Sequence, residues 1–179
     1  MKKFRKYPIL AETLNILDEP ESVQIETAKS SEDLRMLRRL LNSPYSKVKF
    51  RLFDNPNITP EILNGLLQDD NTEVQAYIAS QTNDLELLAR LARHPEPQVR
   101  AFAARNYNIT SELLERLVRD PDPRVRYEVL HSSKLNNDLL QILMRDPNGK
   151  IKQDALFKCR STSFSKPEKR AKGLFRRRK

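Results

Sequence analysis

Apolar residues recur along this chain in a pattern that repeats five times. Five aligned aliphatic residues lie 26, 25, 26 and 26 positions apart, namely Val48, Val74, Val99, Val125 and Ile151. Each stands in a similar polar turn, written NSPYSKVK, QDDNTEVQ, RHPEPQVR, RDPDPRVR and RDPNGKIK along the chain. A leucine-rich segment such as ELLERLVR precedes each turn, and further apolar residues follow four and five positions after each aligned residue. Because apolar residues at this spacing line one face of a helix, every copy predicts two short helices.

Local signals set the ends of these predicted helices. The first helix of a copy is expected to begin after Thr59, after Asn83 or Asp84, after Thr110 and after Asn136, whose side-chain oxygens can accept from free backbone N–H groups. The prolines of the turns end that helix, since the residue before a proline is driven out of helical geometry. Neither helix is long enough to be stable alone, so neighbouring copies must stack to bury their apolar stripes.

The predicted fold class is therefore all-α, an α-solenoid of about five two-helix repeats of 25–26 residues. The repeats occupy residues 31–157. Residues 1–30 carry two further apolar stretches and are predicted to form an N-terminal helical cap, which a solenoid needs at its end. Residues 158–179 are predicted to be a flexible basic C-terminal tail, because they are rich in charge and poor in apolar side chains.

The repeat resembles two known families. The segments HPEPQVRAFAARN and DPDPRVRYEVL resemble the turn and second helix of HEAT-type repeats, whose units are usually about 40–47 residues long. The shorter period and the xNxxIT(S/P)ELLxxL continuation resemble the leucine-rich repeat variant family more closely. That resemblance covers residues 31–157 and implies a right-handed superhelix; the HEAT-like one implies a ladder of Asp–Arg pairs. The founding variant protein holds an iron–sulfur centre in a cysteine cluster, whereas this chain has Cys159 alone, so no cofactor is expected.

The basic character of the chain is concentrated at its C-terminal end. The net charge is +9, from 33 basic and 24 acidic residues, and most of the excess lies after residue 159. The candidate polyanion-binding residues there are Lys169, Arg170, Lys172, Arg176, Arg177, Arg178 and Lys179. Nucleic acid is the commonest partner of such a tail. An anionic membrane surface, a nuclear import signal and a merely solubilising terminus are the open alternatives.

A second set of candidate residues follows the aligned aliphatic residues directly. These ladder positions hold Lys49, Gln75, Arg100, Arg126 and Lys152. The basic four, Lys49, Arg100, Arg126 and Lys152, could form a row that contacts phosphates. The structural interpretation, which the sequence favours, is that each pairs with the acidic residue six positions earlier or with a neighbour in the next repeat.

Other candidate chemistry is sparse. The two histidines, His94 and His131, are linked by no motif to a nucleophile or to metal ligands, and His94 stands where two other turns have Asp, which predicts a turn or capping role. Cys159 is expected to be buried beside apolar residues. Tyr45 and Tyr107, which lie in turns, are the aromatic residues expected to be exposed, and the others are expected to pack between repeats.

These observations predict a non-catalytic repeat scaffold that binds another protein and uses its tail to attract a polyanion, most often nucleic acid. The alternative is direct DNA or RNA binding along the repeat surface. Three glycines are too few for a Gly-rich phosphate loop, and no apolar stretch is long enough to span a membrane. With a single cysteine and no secretory signal, the chain is expected to be cytoplasmic.

Overall fold

The computed structural model describes residues 15–161, and this part of the chain is helical throughout, with no strand. A short 3₁₀ helix, Ile16–Asp18, comes first. Eleven α-helices follow within the described residues: α1 Glu21–Ser30, α2 Leu34–Leu40, α3 Ser46–Phe53, α4 Pro60–Leu67, α5 Thr72–Gln81, α6 Leu85–Leu91, α7 Pro97–Arg105, α8 Ser111–Leu117, α9 Pro123–Leu130, α10 Asn137–Leu143 and α11 Gly149–Ser161. The predicted all-α class is confirmed for these residues.

The predicted helix starts are also confirmed. Thr59, Thr110 and Asn136 each accept a hydrogen bond from a backbone N–H in the first turn of the helix that follows. Between the two candidates before α6, the structure selects Asp84, whose carboxylate accepts from the N–H groups of Glu86 and Leu87. These contacts satisfy N–H groups that a helix cannot pair internally, so the local sequence determines where these helices begin.

The helices pack in two alternating sets. The odd-numbered helices, α1 to α11, form a row in which each packs against the next odd-numbered helix. The even-numbered helices α4, α6, α8 and α10 each contact the odd-numbered helix before and after them. Short helices with one apolar face bury that face only by such contacts with neighbours. We call the odd-numbered set the odd-helix row.

The core follows the apolar stripes that the sequence predicts. The five aligned residues from Val48 to Ile151 are at most 2% exposed. They meet leucine and isoleucine side chains of the even-numbered helices that are also fully buried, for example Leu66, Leu88 and Leu114. The aliphatic periodicity therefore corresponds to one continuous core that runs through the described residues.

The first helix belongs to the same packing. Within residues 15–30, the described part of the predicted cap, α1 packs on α3 as a member of the odd-helix row. The Asn55 side chain donates to the carbonyl oxygens of Ala28 and Ser31 at the end of α1, at 2.7 and 3.1 Å. Residues 1–14 lie outside the described part.

The last helix is longer than the sequence indicates. Residues 158–161, which we expected to begin the tail, continue α11 to Ser161. Lys158 and Arg160 lie in its last turn, where cations interact favourably with the negative end of the helix dipole. The rest of the predicted tail lies outside the described residues. Along residues 15–161, no helix combines the length and the apolar character needed to cross a bilayer.

Candidate binding surface

Two arginines at the ladder positions form two-point ion pairs with the following turn. Arg100 donates from Nε to Oδ2 of Asp120 at 2.7 Å and from Nη2 to Oδ1 at 2.9 Å. Arg126 repeats this geometry with Asp146, at 2.8 and 2.9 Å. Lys49 pairs with Asp69 in the same direction. Each partner lies 20 residues later in the chain, so the ladder joins one turn to the next.

The acid six residues earlier is not the ion-pair partner, although its backbone takes part. Arg126 Nη1 donates to the carbonyl oxygens of Asp120 and Pro121, at 2.8 and 3.1 Å. Arg100 Nη1 does the same with the carbonyl oxygens of His94 and Pro95, both at 2.7 Å. Each guanidinium therefore links the carbonyl groups of its own turn to the carboxylate of the next turn. The structure thus decides between the two pairings that the sequence left open.

Burial and charge reinforce these pairs. The side chains of Arg126 and Asp146 are 11% and 3% exposed. The hydrogen bonds that Arg126 donates to Asp146 lower the pKa of the Asp146 carboxyl and raise the pKa of the Arg126 guanidinium. Both groups stay charged at neutral pH, because each partner stabilises the ionised form of the other. These two arginines therefore have their hydrogen-bonding groups engaged inside the protein.

The ladder is interrupted between α5 and α7. Gln75 Nε2 donates to the carbonyl oxygens of Leu67 and Asp69, at 3.0 and 3.1 Å, so it shares with the arginines the contact to the carbonyl six residues earlier but not the one five residues earlier. Its Oε1 is buried without a hydrogen-bond partner. At the next turn His94 replaces the aspartate, and its Nδ1 accepts from the backbone N–H of Glu96 at 3.1 Å. His94 keeps the predicted turn role, but the charged pair is missing here.

The fourth basic ladder residue is different again. Lys152 is exposed, and it makes no ion pair with any carboxylate of residues 15–161. Its ladder partner would come from a turn beyond α11. The seven tail candidates, from Lys169 to Lys179, lie outside the described residues.

The opposite ends of the odd-numbered helices are joined by amide side chains. Asn106 Nδ2 donates to the carbonyl oxygens of Ala79 and Thr82, at 2.8 and 3.0 Å, while its Oδ1 accepts from the N–H of Asn108 at 2.7 Å. The contacts of Asn55 with the end of α1 are equivalent. Carbonyl groups at a helix C-terminus lack intrahelical partners, so a buried amide satisfies them.

A groove opens on the exposed side of the odd-helix row, between α7, α9 and α11. Its volume is about 390 Å³, and Ala101, Phe102, Tyr127 and Ile151 supply most of its apolar lining. Lys150 lies at the rim, with Nζ 5.4 Å from the centroid of the Tyr127 ring. A lysine over an aromatic face is held by a cation–π interaction. The groove therefore combines apolar and aromatic side chains with the cation Lys150 and the acid Glu128 in its lining.

The exposure of Phe102 was not predicted from the sequence. It is 37% exposed, whereas its equivalent Tyr77 stacks on Phe50 with ring centroids 4.4 Å apart. The position equivalent to Phe50 is Ala76 in the next copy, which is too small to cover a ring at the Phe102 position. An alignment of the five copies shows Phe50 and Ala76 at the same position, so the sequence did contain the signal that predicts the exposure of Phe102.

The remaining candidates have ordinary surroundings. Tyr45 and Tyr107 are 39% and 77% exposed, as predicted. His131 ends α9 and packs edge-on against Tyr127, and Cys159 is only half-buried against the core, less than expected. Across residues 15–161, no group of three or more His, Cys, Asp and Glu side chains is arranged to hold a metal ion. Comparisons with known protein families, with curated proteins and with solved structures find no match to this chain.

Proposed function

We propose that this chain is a non-catalytic binding module built on a right-handed α-solenoid of about five 25–26-residue repeats, of the HEAT-like and leucine-rich repeat variant kind. The support is the recurrence of the same contacts at the same interval. The Arg100–Asp120 and Arg126–Asp146 pairs have matching geometry 26 residues apart, and each odd-numbered helix packs on the next. Such repeated contacts are typical of solenoids.

The groove between α7, α9 and α11 is the observation that carries the binding proposal. We assign to it an extended segment of a partner protein, with one large apolar side chain flanked by carboxylates. Phe102 and Tyr127 provide the apolar surface, and aromatic side chains in a pocket are the usual anchors of a protein interface. Lys150, which forms no ion pair among residues 15–161, supplies a positive charge that complements a carboxylate, whereas Arg124 in the same lining is already paired with Asp122.

The basic tail adds a second attachment in this proposal. Its cations, Lys169 to Lys179, attract a polyanion, most often nucleic acid, so that protein and polyanion are held by one chain. Two weak sites on one chain raise the overall affinity, because the second contact forms at a high effective concentration. A full-length chain with the seven tail cations changed to Gln is expected to lose most of the steep salt dependence of polyanion binding.

A display library of random peptides, selected on the full chain, tests the groove. The expected consensus is an aromatic or aliphatic residue flanked by Asp or Glu. The Kd of the consensus peptide, from fluorescence anisotropy, should rise at least about tenfold in Phe102→Ser, because an interface anchor is lost. Leu85→Ser is the matched control, since Leu85 is 53% exposed on α6, away from the groove.

Failure to enrich any sequence would overturn the assignment of a peptide groove. So would an equal loss of affinity in the Phe102 and Leu85 variants. Lys150→Glu separates the two components of the site: it should weaken binding of the acidic consensus peptide but not of a version with Gln in place of the flanking acids.

The alternative function, direct nucleic-acid binding by Lys49, Arg100, Arg126 and Lys152, has weaker support. The first three side chains are at most 14% exposed and are engaged with Asp69, Asp120 and Asp146. Contact with a phosphate would require breaking those pairs, and a buried carboxylate left unpaired is costly.

A further inference from the structure

A second row of arginines lies at the turns that lead from the even-numbered helices into the odd-numbered ones. Arg93, Arg119 and Arg145 follow α6, α8 and α10 at equivalent positions, 26 residues apart and seven residues before the ladder positions. All three are exposed. We call this side of the described residues, formed by the turns 93–97, 119–123 and 145–149, the turn edge.

Two guanidinium groups of this row are held by backbone carbonyl groups, and none of the three is neutralised by an ion pair of the described residues. Arg93 Nη1 donates to the carbonyl oxygen of Ala89 at 2.8 Å, and Arg119 Nη1 donates to that of Glu115 at 2.7 Å. Each group is thereby held over the end of its own helix, with further N–H groups left to bind a ligand. Among residues 15–161, none of the three arginines forms an ion pair.

The ladder removes the acidic charges that would oppose this row. Asp120 and Asp146 directly follow Arg119 and Arg145 in the sequence, but Arg100 and Arg126 neutralise them. Other exposed cations lie on the same helices and turns or at the starts of the odd-numbered helices: Arg90, Arg116, Arg124, Lys150 and Lys152. Exposed acids lie on the same helices and in the first turn as well, namely Glu86, Glu96, Glu112, Glu115 and Asp138, whereas Asp122 is paired with Arg124. Within the three turns themselves, Glu96 is the one carboxylate outside an ion pair of the described residues, so the positive charge of this edge is concentrated in its turns.

A groove of about 620 Å³ gives this charge a concave setting. It lies between α8 and α10, and both Arg119 and Arg145 line it, together with Gln141. The one carboxylate in its lining that belongs to no ion pair of the described residues is that of Asp138. Two cations of the row, Arg119 and Arg145, thus line the same groove.

We propose that the turn edge binds the sugar–phosphate backbone of a nucleic acid, with Arg93, Arg119 and Arg145 as phosphate-contacting residues. Guanidinium groups match phosphate oxygens bidentately, which makes arginine suited to this contact. Packed helices lie about 8–10 Å apart, so charges at one position per helix pair form a regular linear array. A nucleic acid carries its charges at regular intervals, whereas an acidic protein segment does not. Such contacts are independent of base sequence.

The surroundings of the turn edge share Arg124 and Lys150 with the lining of the peptide groove, but Arg93, Arg119 and Arg145 belong neither to that lining nor to the tail, so variants of these three test the turn edge separately. The full chain is titrated against a labelled 20-base-pair duplex and a single strand of the same length, by anisotropy, between about 50 and 200 mM salt. The variant is Arg93→Gln/Arg119→Gln/Arg145→Gln. For the duplex, the slope of log K against log salt should fall by about 2.7, since each lost phosphate contact removes about 0.9. A smaller slope with both the duplex and the single strand indicates contact with the sugar–phosphate backbone without strand preference. A smaller slope with the duplex alone indicates a site for duplex nucleic acid.

The matched control removes three positive charges from the opposite edge, as Arg51→Gln/Arg105→Gln/Lys134→Gln. It should leave the slope within about 1 of the original. Arg93→Lys/Arg119→Lys/Arg145→Lys keeps the charge and should retain most of the slope, which separates lost contacts from lost folding. Equal losses in both Gln variants would overturn the proposal, as would an unchanged slope in the row variant. A loss of polyglutamate affinity in the row variant as large as its loss of duplex affinity would also overturn it, because the surface would then be one for acidic polymers in general.

Discussion

The carboxylate of Asp146 is held by Arg126, a residue 20 positions earlier in the chain, through two parallel hydrogen bonds of 2.8 and 2.9 Å. The same carboxylate also accepts from the backbone N–H of Asn148 at 2.8 Å, so it organises its own turn and joins it to the preceding one. A bidentate pair between an arginine and a carboxylate forms only when the two groups have one particular relative orientation. This pair therefore determines the position of α11 relative to α9.

Removal of the Asp146 carboxylate should destabilise the protein strongly. Asp146→Ala leaves Arg126 charged and nearly buried without a partner, which costs about 3 kcal/mol in the free energy of unfolding. Urea unfolding at pH 7 measures this. The control is Glu61→Ala, which breaks the exposed pair with Arg38 and should cost less than about 1 kcal/mol. Equal effects of the two substitutions would contradict the role of burial.

The contribution of Asp146 should also depend on pH. Its pKa is lowered in the folded state by the hydrogen bonds from Arg126, from an unfolded value of about 3.9. The stabilisation is therefore fully present above about pH 4 and is lost as the pH falls through the lowered folded pKa. The difference in urea midpoint between the original chain and Asp146→Asn should be constant from pH 7 to about pH 4 and should shrink below. If this difference in urea midpoint grew as the pH was lowered, the predicted direction of the pH dependence would be wrong.

Completion of the interrupted ladder should be cooperative. In Gln75→Arg/His94→Asp, the new arginine can contact the backbone carbonyl groups that Gln75 contacts now and reach the new carboxylate. Each single change leaves one charge without its partner. The change in the free energy of unfolding of the double variant should therefore be more stabilising than the sum of the two single changes by about 2 kcal/mol. A double-mutant cycle in urea measures this difference. Strict additivity would show that these two positions do not face each other.

The side chain of buried Asn106 should contribute more to the free energy of unfolding than that of half-buried Asn108. Asn106→Ala removes three hydrogen bonds and leaves the carbonyl groups of Ala79 and Thr82 buried without that donor, so the free energy of unfolding should fall by about 2–3 kcal/mol. Asn108→Ala removes one exposed contact with Asn83 and should cost about 0.5 kcal/mol. Thermal unfolding followed by circular dichroism compares the two; a smaller loss in the Asn106 variant would refute the argument.

The start of α11 offers a stabilising substitution. Gly149 occupies the position of Pro97 and Pro123, which begin α7 and α9, and a Cβ atom added there meets no atom within 4 Å. Gly149→Pro lowers the conformational entropy of the unfolded chain and is compatible with the first helical position. It should therefore raise the free energy of unfolding by about 0.5–1 kcal/mol. Gly149→Ala, the control, should give a smaller gain. A lower thermal midpoint for the proline variant would contradict this.

Most of the helix pattern could be predicted from the sequence because its causes are local. Thr59, Thr110 and Asn136 cap their helices with their own side chains, and the prolines act on adjacent residues. The burial of Val48, Val74 and the other aligned residues follows from the apolar period, since only one helix face can be removed from water.

The partners of the side chains depended on the tertiary structure. Arg126 has an acidic residue six positions before it and another 20 positions after it, and only the packing of α9 against α11 brings the second carboxylate within hydrogen-bonding distance. The exposure of Phe102 likewise depends on Ala76 lying where an earlier copy has Phe50. The sequence alone therefore determined most of the helices, where they begin and which faces are buried, whereas it missed the end of α11 at Ser161. The packing of neighbouring helices decided which charges are neutralised and which aromatic rings stay at the surface. The physical reason is that helix formation and capping act over a few residues, while ion pairing and ring contact require atoms from distant segments to meet.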